Sequence, residues 1–161
     1  MAEAVFRQIA QENNLLDRFS IIDSAGTAAY HAGDNADARS RSVCRERGVE
    51  VNHISRQVTR ADLRQFDYVL AMDGANLRDL QRMRAADAAA DVRLFGEFAS
   101  SVLAAKAKGE KMAAPEVEDP YYGGREGYEV NFGQCWEYSA GFMKEVLGVE
   151  VDTKQVGKTS S

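Results

Sequence analysis

Asp119, in the run Asp119-Pro120-Tyr121-Tyr122-Gly123-Gly124, is the carboxyl of this 161-residue chain whose neighbours best suit proton exchange with a ligand. The following proline holds Asp119 in an extended conformation, and the two glycines let the chain turn back beyond a pair of aromatic rings. Taken alone, aspartate before proline is a common turn. Acid chemistry on a phosphate ester also needs a partner: a thiolate cradled by backbone N–H groups and an arginine, with the acid protonating the departing oxygen. Here only the acid is in view. Six residues after Cys44 stands Glu50 and six after Cys135 stands Gly141, so the sequence contains no C-x5-R. The two cysteines form no C-x-x-C pair either, which argues against a disulfide framework and a zinc site.

The elements that must position Asp119 follow from periodicity. Val5, Phe6 and Ile9 predict an amphipathic helix from Met1 to about Asn13. Ser20-Ile21-Ile22-Asp23-Ser24 reads as a short strand ended by Ala25-Gly26. A helix follows over about 37–47, with Gly48 as its left-handed terminator, and Thr59 with Asp62 makes a capping box for another. Tyr68-Val69-Leu70-Ala71-Met72 is a continuous apolar run, expected of a parallel strand covered on both faces. Leu77, Leu80 and Met83 predict a helix, Val92 to Phe95 a last strand, and Tyr128 to Leu147 a long closing helix. The stretches 85–90 and 104–114 read as solvated helix or loop, and 149–161 as a polar tail after a domain spanning 1–148.

Strands alternating with helices give a doubly wound α/β domain with a mostly parallel sheet, whose ligands lie at the carboxyl ends of the strands, after Ser24 and after Met72. The chain is 45% hydrophobic, enough for one core. Its net charge of −5 argues against nucleic acid and anionic membrane surfaces as partners. No apolar run reaches spanning length and no secretory start is present, so the expected setting is cytoplasmic.

Five motifs in order resemble one family: Ser24-Ala25-Gly26-Thr27, His53-Ile54-Ser55-Arg56-Gln57, Phe66 to Asp73, Asn76-Leu77-Arg78-Asp79-Leu80 and the Asp119 loop. Over Met1 to about Leu147 the chain is similar to the low-molecular-weight protein tyrosine phosphatases, which implies a sheet of the phosphatase I or flavodoxin-like kind. The resemblance makes Asp119 the general acid toward a phenolate and then the base for water. Partial burial near aromatic rings would suit that role. It puts Tyr30 and Tyr121, with Tyr122 beside them, along a cleft rim where they would stack on an aryl ring. Ser24 and His53 become hydrogen-bonding supports near the base of a phosphate loop. Asp73 and Asn76 either cap a helix or support the site loops. His31, Arg39 and Arg56 read as surface charges, Cys44 as a packing residue. The implied substrate is a phosphotyrosine-containing protein or a small aryl phosphate, with no metal and no organic cofactor.

The chain departs from the pattern. In that family a strand and a C-x5-R loop ending in Ser-Pro precede the helix that opens here. The expectation is therefore that the first strand is missing, that Met1 is internal to a longer natural chain, and that this polypeptide has no Cys-dependent phosphatase activity. Starting at Met1 would leave the first helix uncapped with an ammonium at the positive end of its dipole, and would leave a trough in the sheet. The alternatives are a phosphatase-like binding module without chemistry and, last, a relative of the arsenate reductases, which need further redox cysteines. Glu118 stands before Asp119 where the family often has proline, and the segment 96–114 is longer than usual.

Overall fold

A computed structural model describes residues 1–29, 32–121 and 123–152. Eight regular elements follow one another: α1 (Ala2–Glu12), α2 (Ala38–Glu46), α3 (Arg60–Gln65), β1 (Tyr68–Ala71), α4 (Gly74–Met83), β2 (Asp91–Leu94), α5 (Ser100–Ala107) and α6 (Arg125–Leu147). Two 3-10 turns, Leu16–Arg18 and Phe95–Phe98, join them. β1 and β2 pair in parallel, with Tyr68 opposite Asp91 and Ala71 opposite Leu94. The α/β class with parallel strands is as the sequence implies.

Local chemistry explains most boundaries. Asp37 caps α2 by accepting from the Arg39 and Ser40 amides, and Gly48, at φ +74°, ends it as expected. Thr59 and Asp62 form a reciprocal capping box on α3: the Asp62 amide reaches Thr59 Oγ1 at 3.4 Å and the Thr59 amide reaches Asp62 Oδ2 at 2.8 Å. Gly148, at φ +69°, stops α6, with Val149 reaching back to the Met143 carbonyl. By contrast, Met1 gives α1 no side-chain cap.

Three expectations need correction. The segment 20–24 is extended but forms no ladder among the described residues. Its polar groups are taken locally: Arg7 donates to the Ile22 carbonyl, and the Ser24 amide donates to Asp23 Oδ1 at 2.8 Å. Ile21 is 63% exposed, so no second layer covers it. β1, read as covered on both faces, is half-buried at Tyr68, Val69 and Leu70 and fully buried only at Ala71, because its single ladder is the one with β2. The alanine-rich stretches are not simply solvated: Ala90 and Ala105 are buried, and α5 begins at Ser100. Small shifts occur as well, with α6 starting at Arg125 and β2 ending at Leu94 before Phe95 enters a 3-10 turn.

The sheet separates two apolar clusters. The larger lies between α1, α2 and α6 and includes Val5, Ile9, Val43, Phe98, Phe132 and Met143. Phe142 is its aromatic centre, with ring centroids of Phe98 at 5.0 Å, Tyr68 at 5.1 Å and Phe6 at 5.4 Å, all edge-on. A smaller cluster of Val58, Leu63, Ala71 and Leu80 packs α3 and α4 on the other face. α6 approaches the Phe95–Phe98 turn so closely that a Cβ at Gly141 would lie 1.9 Å from the Phe98 carbonyl oxygen. Gly141→Ala therefore clashes with backbone, which outweighs the better helix propensity of alanine. We expect a loss of about 1–3 kcal/mol in denaturant unfolding; equal or greater stability would contradict that close contact.

Candidate active site

The acid loop is fastened through residues 116–118, just before it reaches Asp119. The Val117 amide donates to the Met72 carbonyl at 2.8 Å, and Glu116 Oε1 accepts from the Gly74 amide at 2.7 Å. From α6, Gln134 donates to the Glu116 carbonyl at 3.2 Å and Asn131 to the Glu118 carbonyl at 2.8 Å. The loop thus hangs from the carboxyl end of β1, where an α/β sheet presents its ligand site. Asp119 Oδ1 accepts from the Tyr121 amide at 3.0 Å, and the Pro120 carbonyl accepts from Gly123 at 2.9 Å, so the turn is self-closed. Asp119 itself is exposed, without the partial burial that would suit an acid. Its carboxyl faces solvent on the open side of the loop.

Tyr121 is 47% exposed, as a rim residue would be. Tyr30, Tyr122 and His31 lie outside the described residues. Arg39, expected to be a solvated charge, instead lies 5.1 Å from the Tyr121 ring centroid and 4.9 Å from that of Tyr128, while bonding Asp37 at 3.3 Å. The Arg39 guanidinium holds the Asp37 carboxyl below its ordinary range. Burial pushes the Tyr128 hydroxyl up, and nearby Asp37 adds to that.

A second polar group gathers at the start of α1. Glu3 Oε2 accepts from Ser24 Oγ at 2.7 Å and lies 3.0 Å from His53 Nδ1, and Asp23 Oδ1 lies 3.7 Å from the same nitrogen. Ser24 and His53 come together through Glu3, which the sequence reading missed. Its signal was available: an acid in the first turn of an amphipathic helix, one turn before Arg7. Arg56, read as a surface charge, bonds Asp23 at 2.9 Å and reaches Asp62 through both terminal nitrogens at 2.9 and 3.2 Å. Ligand atoms of Glu3, Asp23 and His53 all lie within 4.8 Å of one another, the spacing a metal would need. Arg7, Arg56 and Ser24 already satisfy those carboxylates, and the two guanidinium charges oppose a cation.

Asp73 and Asn76 meet at the start of α4. Asp73 Oδ1 caps α4 by accepting from the Asn76 amide at 2.8 Å, and Asn76 Nδ2 reaches Thr27 Oγ1 at 3.5 Å. That contact ties α4 to the turn after Ser24, which is also laced by Gly26 to Arg56 and Val58 to Gly26 backbone bonds of 2.9 and 2.8 Å. The cysteines offer no nucleophile. Cys44 is buried on α2, as a packing residue should be, and its thiol is pushed up by burial. Cys135 is more deeply buried still and is pushed up to about 12.

Comparison with known proteins shows the family and the fold. Residues 1–151 match the model of the family described as low molecular weight phosphotyrosine protein phosphatase. A protein of that name from Schizosaccharomyces pombe is 38% identical over 146 residues, covering 91% of this chain and 87% of that protein. The crystal structure of a protein tyrosine phosphatase from Entamoeba histolytica superposes with a TM-score of 0.80 at 31% identity, covering 91% of this chain and 87% of the other. A Drosophila arginine phosphatase structure aligns with a TM-score of 0.74 at 26% identity, covering 89% and 86%.

The Asp62 carboxyl gives a stability test of the polar network. Burial raises it, but the two Arg56 bonds and the Thr59 amide prevail and hold it below 3.8. A depressed carboxyl stabilises the fold above its unfolded value and loses that contribution as pH falls through the folded one. Asp62→Asn should therefore cost about 1–2 kcal/mol near neutral pH, through the lost cap and ion pair. That difference should shrink as the pH drops below 3.8. A difference that stays constant with pH would contradict the assignment.

Proposed function

Because the chain belongs to the low molecular weight phosphotyrosine protein phosphatase family, we propose that it carries the acid arm of a site that hydrolyses phosphotyrosine through a cysteinyl-phosphate. Asp119 protonates the departing phenolate and then takes a proton from the water that cleaves the phosphoenzyme. The observation that supports this is the anchoring of the Asp119 loop to the carboxyl end of β1 by the Val117 to Met72 bond, with the carboxyl open to solvent. Tyr121 supplies a rim ring suited to an aryl ester, and the family resemblance makes Tyr30 and Tyr122 further substrate-binding residues. Ser24, with His53 behind it, supports the floor, and Asp73 and Asn76 hold the loops in register. The substrate is then a phosphotyrosine-containing protein or a small aryl phosphate. The likeness to an arginine phosphatase makes phosphoarginine, a phosphoramidate, the competing substrate to assay.

The nucleophile is not among residues 1–161, since neither cysteine is followed at six residues by arginine and both thiols are buried. On this reading polypeptide 1–161 does no Cys-dependent hydrolysis by itself, and a binding module without chemistry is the rival reading. A cytoplasmic setting accords with two free thiols and with the absence, among the described residues, of any helix long and apolar enough to cross a membrane.

The test is to join an apolar strand and a C-x5-R-Ser-Pro segment directly ahead of Met1. The joined protein should hydrolyse aryl phosphates. Within it, Asp119→Ala should lower turnover by roughly 10²-fold or more for poor leaving groups, and far less for very good ones. A folded joined protein without activity, or an equal loss across leaving groups, would sink the proposal.

A further inference from the structure

Arg39 lies where three parts of the molecule meet. It follows the cap of α2, its guanidinium carbon is 4.9 Å from the centroid of Tyr128 in the first turn of α6, and it is 5.1 Å from the ring of Tyr121, two residues past the acid. Asp37 orients the guanidinium from below through Oδ1 and Oδ2, each at 3.3 Å. Capping of α2 does not need this side chain, because Asp37 caps through the backbone amides of Arg39 and Ser40. Tyr128 is buried and fixed by α6, whereas Tyr121 is 47% exposed on the loop. A planar cation against both rings therefore ties the mobile-side ring to the fixed one.

We propose that Arg39 is a positioning residue for the general acid: it clamps the Tyr121 ring against Tyr128 and so fixes the turn in which Asp119 is held. The link to the acid is short. The Tyr121 amide donates to Asp119 Oδ1 at 3.0 Å, so fixing the Tyr121 backbone sets the carboxyl rotamer. Without Arg39 the loop keeps its anchors at Glu116, Val117 and Glu118 but loses the cation–π contact on Tyr121. The sequence showed Arg39 only as one of several charges on a polar helix. Its meaning comes from Tyr121 and Tyr128, more than eighty positions away, arriving on either side.

The role rests on the reading of Asp119 as the acid, but its geometry can be tested without turnover, in polypeptide 1–161 itself. Hydrogen exchange is followed by NMR at the Tyr121 and Gly123 amides, which the self-closed turn protects, and at Phe132 in the core of α6. Arg39→Met should speed exchange at the two loop amides about threefold to tenfold, the scale of one or two exposed cation–π contacts, and leave Phe132 unchanged. Arg39→Lys, which keeps the charge but not the plane, should recover part of the protection. In the wild type the Arg39 Nε–H resonance should be displaced by ring current, and Tyr121→Ala should move it back in part.

Tyr121→Ala combined with Arg39→Met should loosen the loop no more than either change alone. Unchanged loop exchange in Arg39→Met, a parallel rise at Phe132, or additive effects in the double variant would each overturn the proposal. A joined protein that fails to hydrolyse would count against the acid assignment and leave this clamp standing; normal loop exchange would remove the clamp and leave the family function standing.

Discussion

The hydrogen bond from the Val117 amide to the Met72 carbonyl is the contact on which the functional geometry depends. It joins the end of β1 to a segment more than forty residues later, and it is flanked by the Glu116 carboxylate on the Gly74 amide. β1 is in turn located by Tyr68 against Phe142, and Phe142 by Phe6 and Phe98. A rigid aromatic centre thus sets the strand, the strand end sets the loop, and the loop presents the carboxyl. Displacing any step moves Asp119 without touching it. Positional errors of about an ångström are enough to matter for acid catalysis.

The polar network at the start of α1 follows another rule. Glu3, Asp23, His53, Arg7 and Arg56 are half-buried or at the surface and Asp62 is buried, and each carboxylate has a guanidinium within hydrogen-bonding range. Such pairing costs little beyond what it returns, and its value lies in register: it fixes the turns after Ser24 and around Arg56 relative to α1 and α3. Those turns adjoin the end of β1 through the Asn76 to Thr27 contact. Both cysteines are buried away from this network.

Much of this was legible in the residues. Two boundaries declared themselves, since Thr59 with Asp62 and Gly48 act through neighbours a few positions away, and the acid loop carried its own turn chemistry. What sequence could not show was partnership at a distance. Ile21 and Ile22 have strand propensity, yet a strand exists only where another edge accepts it, and none does here among the described residues. Glu3 and Arg56 looked like ordinary surface charges until the fold brought Ser24, His53 and Asp62 beside them. Partial burial near aromatic rings would suit Asp119 as an acid, but Tyr121 lies against Arg39 and Asp119 is exposed.

The central claim is that this polypeptide holds the acid arm of a cysteine-dependent phosphatase and no nucleophile of its own. It is tested most directly by incubating purified polypeptide 1–161 with an aryl phosphate and following both phenolate and inorganic phosphate. The account predicts no release above buffer, and no difference when Cys44 and Cys135 are both replaced by serine. Turnover that is abolished by thiol alkylation, or by replacing either cysteine, would contradict it.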